Sequence, residues 1–144
     1  MFDKPAAIRV LVVDDHEIVR RSICTILSQD STLEVICESA DGESAVQKAQ
    51  ELQPDVILLD INLPGISGFE AASLIRQVAP QSEIIFLSQY DSLSVVTEAM
   101  KIGGRGYVTK NRAASDLLKA IREVRGGTQF VSKDIADQGW VPQA

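Results

Sequence analysis

The chain has 144 residues, of which 45% are hydrophobic and 24% charged, and its formal net charge at pH 7 is −6. This length suits one compact domain, and the composition is that of an ordinary globular protein. The acidity argues against general binding of nucleic acid through a basic face. No apolar run approaches the ~20 residues of a membrane span, and residues 1–10 lack the apolar core of a signal peptide. We therefore expect a cytoplasmic protein that contacts no membrane.

Five short apolar runs alternate with five helical patterns along the chain. The runs have the length of β-strands and occupy residues 8–13, 33–39, 55–60, 83–88 and 105–109. After each run, apolar residues recur at spacings of three and four, which places them on one face of a helix. Strands that alternate with helices of this length predict βα units and a parallel sheet.

The residue patterns of the strands also predict their order. Runs 55–60 and 83–88 are largely apolar, as expected when helices cover both faces of a sheet. Run 33–39 alternates and run 105–109 is short, as edge strands often are. Right-handed crossovers then favour the order 2-1-3-4-5. The predicted fold is an α/β fold with a five-stranded parallel sheet and five flanking helices, and its ligand site lies where the winding reverses, between strands 1 and 3.

Chemically active residues follow the strands at this edge of the sheet. Asp14 and Asp15 end strand 1, Asp60 ends strand 3, Ser88 ends strand 4, and Lys110 follows strand 5. Each alone has an ordinary explanation, such as a helix cap or a solvated charge. Together, three close carboxylates repel one another, and a single lysine does not balance them. Mg²⁺ prefers oxygen ligands and would neutralise the cluster. Such a cation usually binds a phosphate as well, but no Walker A or GxGxxG motif follows strand 1, so a nucleotide is not the obvious source of the phosphate. A carboxylate that faces the metal can itself be the phosphoryl acceptor.

These segments resemble the receiver domain of two-component response regulators. The matching pieces are LVVDDHEIVR, PDVILLDINLPGISGFE, IIFLS and GGRGYVTK, which span residues 8 to about 125. The DDH start and the trailing GGTQFVS are most similar to the NarL/LuxR-type subfamily, whose receivers precede a DNA-binding helix-turn-helix. The resemblance implies a flavodoxin-like, CheY-like fold and a role in signal transduction.

By this resemblance, Asp60 is the phosphoacceptor. The implied ligands of Mg²⁺ are the side chains of Asp14, Asp15 and Asp60 and the backbone carbonyl of Asn62. The implied residues for phosphate binding and switching are Ser88, Lys110 and Tyr107. We expect the phosphoryl group to draw Ser88 inward and Tyr107 to fill the space behind it, as a two-state element.

The chain departs from the family pattern beside the switch hydroxyl. Gln89 stands where a small residue is common, and Tyr90 follows it. A long side chain here is expected to crowd the phosphate or to screen it from water. With Asn62, these two residues are the predicted modulators of the lifetime of the phosphorylated state.

We predict a receiver domain over residues 1–127 and a linker-like tail over 128–144, because a double glycine ends the last helix. No second helical domain follows in this sequence. Contact with DNA is therefore expected only through an output domain absent from the chain. The implied partner is a sensor histidine kinase, with homodimer formation left open.

The leading hypothesis is a switch that accepts a phosphoryl group from a histidine kinase and controls an output such as transcription. Its only catalysis would be Mg²⁺-dependent self-phosphorylation and autodephosphorylation. A first alternative is an aspartyl-phosphate phosphatase, which requires a second carboxylate two residues after the nucleophile; Asn62 at that position argues against it. A second alternative is a binding module that works without phosphorylation. Gln89 is its main support, but the chain keeps all the reacting groups.

Overall fold

A computed structural model describes residues 6–142. Its centre is a parallel sheet with the strand order β2-β1-β3-β4-β5-β6. The strands are β1 (Ile8–Val13), β2 (Leu33–Ser39), β3 (Val56–Leu59), β4 (Glu83–Ser88), β5 (Gly104–Thr109) and β6 (Phe130–Val131). The helices are α1 (Glu17–Ser28), α2 (Gly42–Leu52), α3 (Gly68–Val78), α4 (Leu93–Lys101), α5 (Ala113–Arg125) and α6 (Lys133–Ala136). A single 3₁₀ turn, Lys110–Arg112, joins β5 to α5.

The α/β class and the order 2-1-3-4-5 of the first five strands are confirmed, but the prediction of five strands and five helices was wrong. β6 has two residues and α6 has four, which is too short for either to show a periodic pattern. β6 forms because it pairs with β5, and β5 is therefore an inner strand rather than the predicted edge. Both extra elements lie within residues 128–144, the segment predicted to be a linker-like tail.

Two apolar cores cover the two faces of the sheet. Successive side chains of a strand point to opposite faces, so the apolar strands supply both cores. Leu11 and Val13 pack with α2, α3 and α4, whereas Val10 and Val12 pack with α1 and α5. This burial on both sides explains why the central strands are apolar throughout. In residues 6–142, no helix has the length and hydropathy needed to cross a bilayer.

The last described segment packs against the sheet. Ile135 of α6 is fully buried and belongs to the core on the side of α2, α3 and α4. Trp140 is half-buried against the same core. The segment after α5 therefore adds apolar contacts to the body of the domain.

Candidate functional site

The carboxyl ends of three strands bring two carboxylates and one ammonium together. Asp14 follows β1 and Asp60 follows β3, and the residues before them, Val13 and Leu59, are paired across the sheet. The Nζ atom of Lys110 lies 2.9 Å from Oδ2 of Asp14 and 2.9 Å from Oδ2 of Asp60. Asp14 is only 1% exposed and Asp60 only 3%. One cation therefore bridges two buried anions.

Backbone groups orient both carboxylates. Oδ1 of Asp14 accepts a hydrogen bond from the amide of His16 at 2.8 Å. Oδ1 of Asp60 accepts one from the amide of Asn62 at 3.3 Å. The guanidinium of Arg20 donates to the carbonyl oxygen of Asp14 at 2.7 Å and so connects α1 to this edge of the sheet. We call this edge the rim; its site residues are Asp14, Asp15, Asp60, Ser88 and Lys110. Arg20 was not predicted as a site residue, because its role depends on a backbone contact that sequence does not encode.

The two adjacent aspartates differ in burial. The side chain of Asp15 is 31% exposed, and its Oδ1 lies 3.1 Å from Nδ1 of His16. Ligand atoms of Asp14, Asp15, His16 and Asp60 all lie within 4.8 Å of one another. The structure therefore brings the three predicted carboxylates together. It adds His16, which reaches the cluster because it directly follows Asp15 at the start of α1.

A buried carboxylate oxygen of Asp14 indicates that this cluster is suited to Mg²⁺. Within the described residues, Oδ2 of Asp14 makes no hydrogen bond; its 2.9 Å approach to Lys110 is an ion pair without hydrogen-bond geometry. Buried polar atoms normally have partners, so an oxygen of this kind is a ready ligand. Mg²⁺ is hard and usually takes one or two carboxylates together with water and phosphate oxygens. The residues present fit that ion.

Burial and charge act together on the site. Burial raises the pKa of the Asp60 carboxyl, and the charge of Asp14 adds to this, while Lys110 opposes the rise without cancelling it. Burial alone would lower the pKa of the Lys110 ammonium, but its contacts with both aspartates outweigh burial and raise the pKa. Lys110 therefore stays charged, and negative charge remains in excess, which favours a divalent cation.

The predicted switch residues meet at the backbone of one loop residue. Ser88 is fully buried at the end of β4, and its Oγ accepts a hydrogen bond from the amide of Tyr90 at 3.1 Å. The buried Tyr107 hydroxyl donates to the carbonyl oxygen of Tyr90 at 2.8 Å. Burial raises the pKa of Tyr107 to about 12, so its hydroxyl remains a donor at neutral pH. The β4–α4 loop thus joins Ser88 to Tyr107.

A second contact joins this loop to the loop after Asp60. The Nδ2 atom of Asn62 donates to the Tyr90 hydroxyl at 2.6 Å. Tyr90 remains 38% exposed, and Gln89 beside it is exposed as well. Two of the three predicted lifetime residues therefore form a bridge at the solvent side of the site.

Gly68 explains how the loop after Asp60 returns so closely to the sheet. A Cβ atom at Gly68 would lie 2.1 Å from the carbonyl oxygen of Asp60 and 2.6 Å from Cα of Ile61. The Gly68 amide donates to the carbonyl oxygen of Ile61 at 2.7 Å. Only glycine allows α3 to begin against this backbone. Its signal in the sequence is the SGFE motif, where Ser67 caps the helix.

Comparison with known proteins places this site in a family. A family model of the response regulator receiver domain matches residues 10–122. The chain belongs to the receiver domain family. This receiver is 37% identical over 131 residues to the response regulator GacA of Pseudomonas viridiflava, covering 91% of this chain and 61% of that protein. It is 37% identical over 131 residues to the response regulator UvrY of Escherichia coli K12, covering 91% and 60%.

Solved structures agree with this assignment. The receiver superposes with a TM-score of 0.87 on a LuxR-family two-component response regulator from Aurantimonas sp. SI85-9A1, at 32% identity, covering 92% of this chain and 94% of that one. The resemblance to NarL/LuxR-type regulators is therefore confirmed. The receiver spans about three-fifths of the length of the first curated relatives it matches.

Proposed function

We propose that this receiver accepts a phosphoryl group on Asp60 from a phosphohistidine of a sensor kinase and uses it to control an output. The observation that carries the proposal is the pair of buried carboxylates, Asp14 and Asp60, that share Lys110 at 2.9 Å. Because its negative charge exceeds its positive charge, a site with two anions and one cation favours binding of a divalent metal, and the metal can then offset the charge of a phosphoryl group.

Each residue of the rim has a role in this proposal. Mg²⁺ would be held by Asp14, Asp15, Asp60 and the backbone carbonyl of Asn62. When bound, Mg²⁺ supplies positive charge that stabilises the oxygens of the transferring group. A carboxylate oxygen of Asp60 forms the new bond to phosphorus while the bond from phosphorus to the histidine nitrogen breaks, and that nitrogen keeps the electron pair. Lys110 and Ser88 then pair with oxygens of the new acyl phosphate.

The Asn62–Tyr90 bridge supports a role in the lifetime of the acyl phosphate. Hydrolysis requires a water molecule to reach the phosphorus from the solvent side, where this bridge lies. The 2.6 Å bond joins the loops after β3 and β4, and Gln89 is next to it. We propose that these three residues limit the access of water, so that Tyr90→Ala would shorten the lifetime.

The output step is a relay through the β4–α4 loop. Phosphorylation adds charge and strong acceptors at Asp60. Ser88 is drawn toward them, and the loop moves with it because the Tyr90 amide is bonded to Ser88. The same loop then holds Tyr107 in its buried position, because the Tyr107 hydroxyl is bonded to the Tyr90 carbonyl. The two positions of this element would differ by a few kcal/mol, so the unphosphorylated protein would sample both.

The relatives suggest the kind of output. They include a transcriptional regulatory protein, DegU of Brevibacillus brevis, at 36% identity over 124 residues, covering 86% of this chain and 52% of that protein. One solved relative is described as two RcsB dimers bound to two parallel DNAs, at 25% identity and a TM-score of 0.84, covering 91% of this chain and 67% of that one. We propose transcriptional control in the cytoplasm, homodimer formation, and contact with DNA through an output domain outside these residues.

Intact-mass spectrometry tests the acceptor. With Mg²⁺ and acetyl phosphate, the wild type should gain one phosphate, and hydroxylamine, which cleaves acyl phosphates, should remove it. Asp60→Asn should gain none, whereas the matched variant Asp137→Asn, at an exposed position on the tail side, should behave as the wild type. A wild type that gains no phosphate would favour the phosphorylation-independent binding module.

The same reaction separates the switch from a phosphatase. A switch uses one equivalent of donor and then hydrolyses its own acyl phosphate slowly. A phosphatase would release phosphate from a small phosphoester over many turnovers. Asn62 supplies no carboxyl group for that chemistry, and we expect no such turnover.

A further inference from the structure

Residues 128–142 fold back onto β5, and we call this segment the docked tail. β6 pairs in parallel with β5. Directly after β6, the amide of Ser132 donates to the carbonyl oxygen of Tyr107 at 2.9 Å. The hydroxyl of Ser132 accepts from the amide of Thr109 at 3.0 Å. The docked tail therefore holds the last residues of β5, immediately before Lys110.

Two further contacts join the docked tail to the moving parts of the site. The Thr109 hydroxyl lies 2.9 and 3.2 Å from the two carboxylate oxygens of Asp134. The Nε2 atom of Gln138 donates to the carbonyl oxygen of Asp91 at 2.6 Å. Asp91 lies in the β4–α4 loop, next to the residue that binds both switch side chains. The docked tail thus contacts the β4–α4 loop and the strand that carries Tyr107, two of the parts of the proposed relay.

The docked tail also adds apolar side chains to the core that contains Tyr107. Ile135 and Tyr107 are each 0% exposed and belong to the same core cluster. Trp140, the single tryptophan of the chain, packs against that cluster. Tyr107 is paired with Val131 between β5 and β6, so an outward turn of the Tyr107 ring would take place beside the docked tail.

We propose that the docked tail is a latch that keeps Tyr107 buried, and that tail docking and phosphorylation of Asp60 favour each other. The inference rests on the proposed function, in which Ser88, the β4–α4 loop and Tyr107 move as a unit. Two events that prefer the same state of a two-state element are coupled, and the coupling is reciprocal. In the state with Tyr107 buried, Ser132 is hydrogen-bonded to the backbone of β5, and Gln138 is hydrogen-bonded to the β4–α4 loop.

The first test uses the full chain with Mg²⁺ and beryllofluoride, a phosphoryl mimic. Hydrogen exchange of the amides in the docked tail should slow by roughly fivefold or more, the lower end of typical couplings. Acrylamide quenching of Trp140 should fall in the same titration, because the latch spends more time closed. Unchanged or faster exchange of these amides would overturn the latch.

The second test measures the reciprocal effect. Ile135→Ala and Gln138→Ala should each weaken beryllofluoride binding by roughly fivefold or more. Asp137→Ala is the matched control, because Asp137 is also in the docked tail but pairs only with the exposed Lys133, at 2.8 Å, and the change should leave the affinity unchanged. In a Tyr107→Ala background, Ile135→Ala should have no further effect. Should Ile135→Ala fail to fold, Gln138→Ala carries the test.

The outcomes separate the two proposals. If beryllofluoride binds at Asp60 while the docked tail and its variants do not respond, the latch is wrong and the phosphoacceptor proposal stands. If neither acetyl phosphate nor beryllofluoride acts on Asp60, the proposed function fails and the latch fails with it.

Discussion

Asp60 at the sheet rim and Asp116 on α5 are both buried carboxylates beside a basic side chain, yet they ionise differently. Asp60 shares Lys110 with Asp14. Burial raises the pKa of Asp60, and Lys110 does not cancel that rise. Asp116 has Arg112 to itself, at 2.9 and 3.3 Å. Burial opposes its ionisation too, but hydrogen bonds from Arg112 and Ser132 outweigh burial and lower the pKa.

At the rim, the negative charge of the carboxylates exceeds the positive charge of Lys110, whereas the charges of Asp116 and Arg112 cancel each other. The rim holds two buried anions for one cation, an arrangement that is unfavourable until a metal arrives. Beside the docked tail, Asp116 is paired with Arg112, and the tail itself is held by hydrogen bonds from its own polar groups, such as Ser132 and Gln138. The rim is therefore suited to binding a cation, whereas the region of Asp116 and the docked tail stabilises the edge of the sheet at β5.

The largest expected effect is that of removing the shared cation from the rim. In the absence of metal, Lys110→Ala leaves Asp14 and Asp60 buried without a counter-charge. We expect a loss of about 3–5 kcal/mol in the free energy of unfolding, measured with urea. Mg²⁺ should recover part of this loss. Lys119→Ala, at an exposed position on α5, is the control and should change stability by less than ~0.5 kcal/mol. Equal effects of the two variants would mean that Lys110 balances no buried charge.

The next effect concerns the docked tail. Ile135→Ala should lower the free energy of unfolding by about 2–4 kcal/mol, because it removes a fully buried side chain and leaves a cavity. Val141→Ala, at a position 65% exposed, should cost less than ~0.5 kcal/mol. Urea unfolding of both variants measures the difference. A negligible effect of Ile135→Ala would mean that the tail opens independently of the domain.

A smaller effect is the gain in stability on binding Mg²⁺, which should depend on the rim and not on Asp116. Mg²⁺ at tenfold excess over its Kd should add ~1.4 kcal/mol to the free energy of unfolding, since it binds the folded state alone. Asp15→Ala should remove most of this gain and raise the metal-free stability slightly, because it relieves repulsion. Asp116→Asn should keep the whole gain. Melting temperatures in EDTA and in Mg²⁺ provide the measurement, and a wild type insensitive to Mg²⁺ would refute the metal site.

The smallest effect is a pair of opposite pH dependences in metal-free protein. Because the folded-state pKa of Asp60 is raised, the stability of the wild type relative to Asp60→Asn is greatest below the unfolded value of 3.8 and falls as pH rises through the folded value. Because the pKa of Asp116 is lowered, its contribution relative to Asp116→Asn is present above 3.8 and is lost as pH falls through the folded value.

Urea midpoints between about pH 3 and pH 7 should therefore diverge in opposite directions for the two variants. The contribution of Asp116 should stay below about 1 kcal/mol, because the side chain of its partner Arg112 is 32% exposed and solvent screens the pair. Parallel pH profiles for Asp60→Asn and Asp116→Asn would contradict the contrast between the rim and the Asp116–Arg112 pair.

Much of the rim was predictable because its residues directly follow buried strands. Apolar runs and helical periods indicate the first five strands and helices, and parallel strands bring their carboxyl ends to one edge. Asp14, Asp60 and Lys110 were therefore expected to meet there, as they do. The sequence did not indicate that Asp14 would be buried and Asp15 exposed, since that depends on where the strand ends within the folded sheet.

The sequence by itself determined the βα alternation, the strand order up to β5 and the charged residues at the strand ends, because these follow from local periodicity and chain direction. Only the tertiary structure decided the contacts between separate loops and the edge of the sheet. The Asn62–Tyr90 bridge joins residues 28 positions apart. β6 and α6 are too short to form alone, and they exist because β5 offers unpaired backbone groups and its core accepts Ile135.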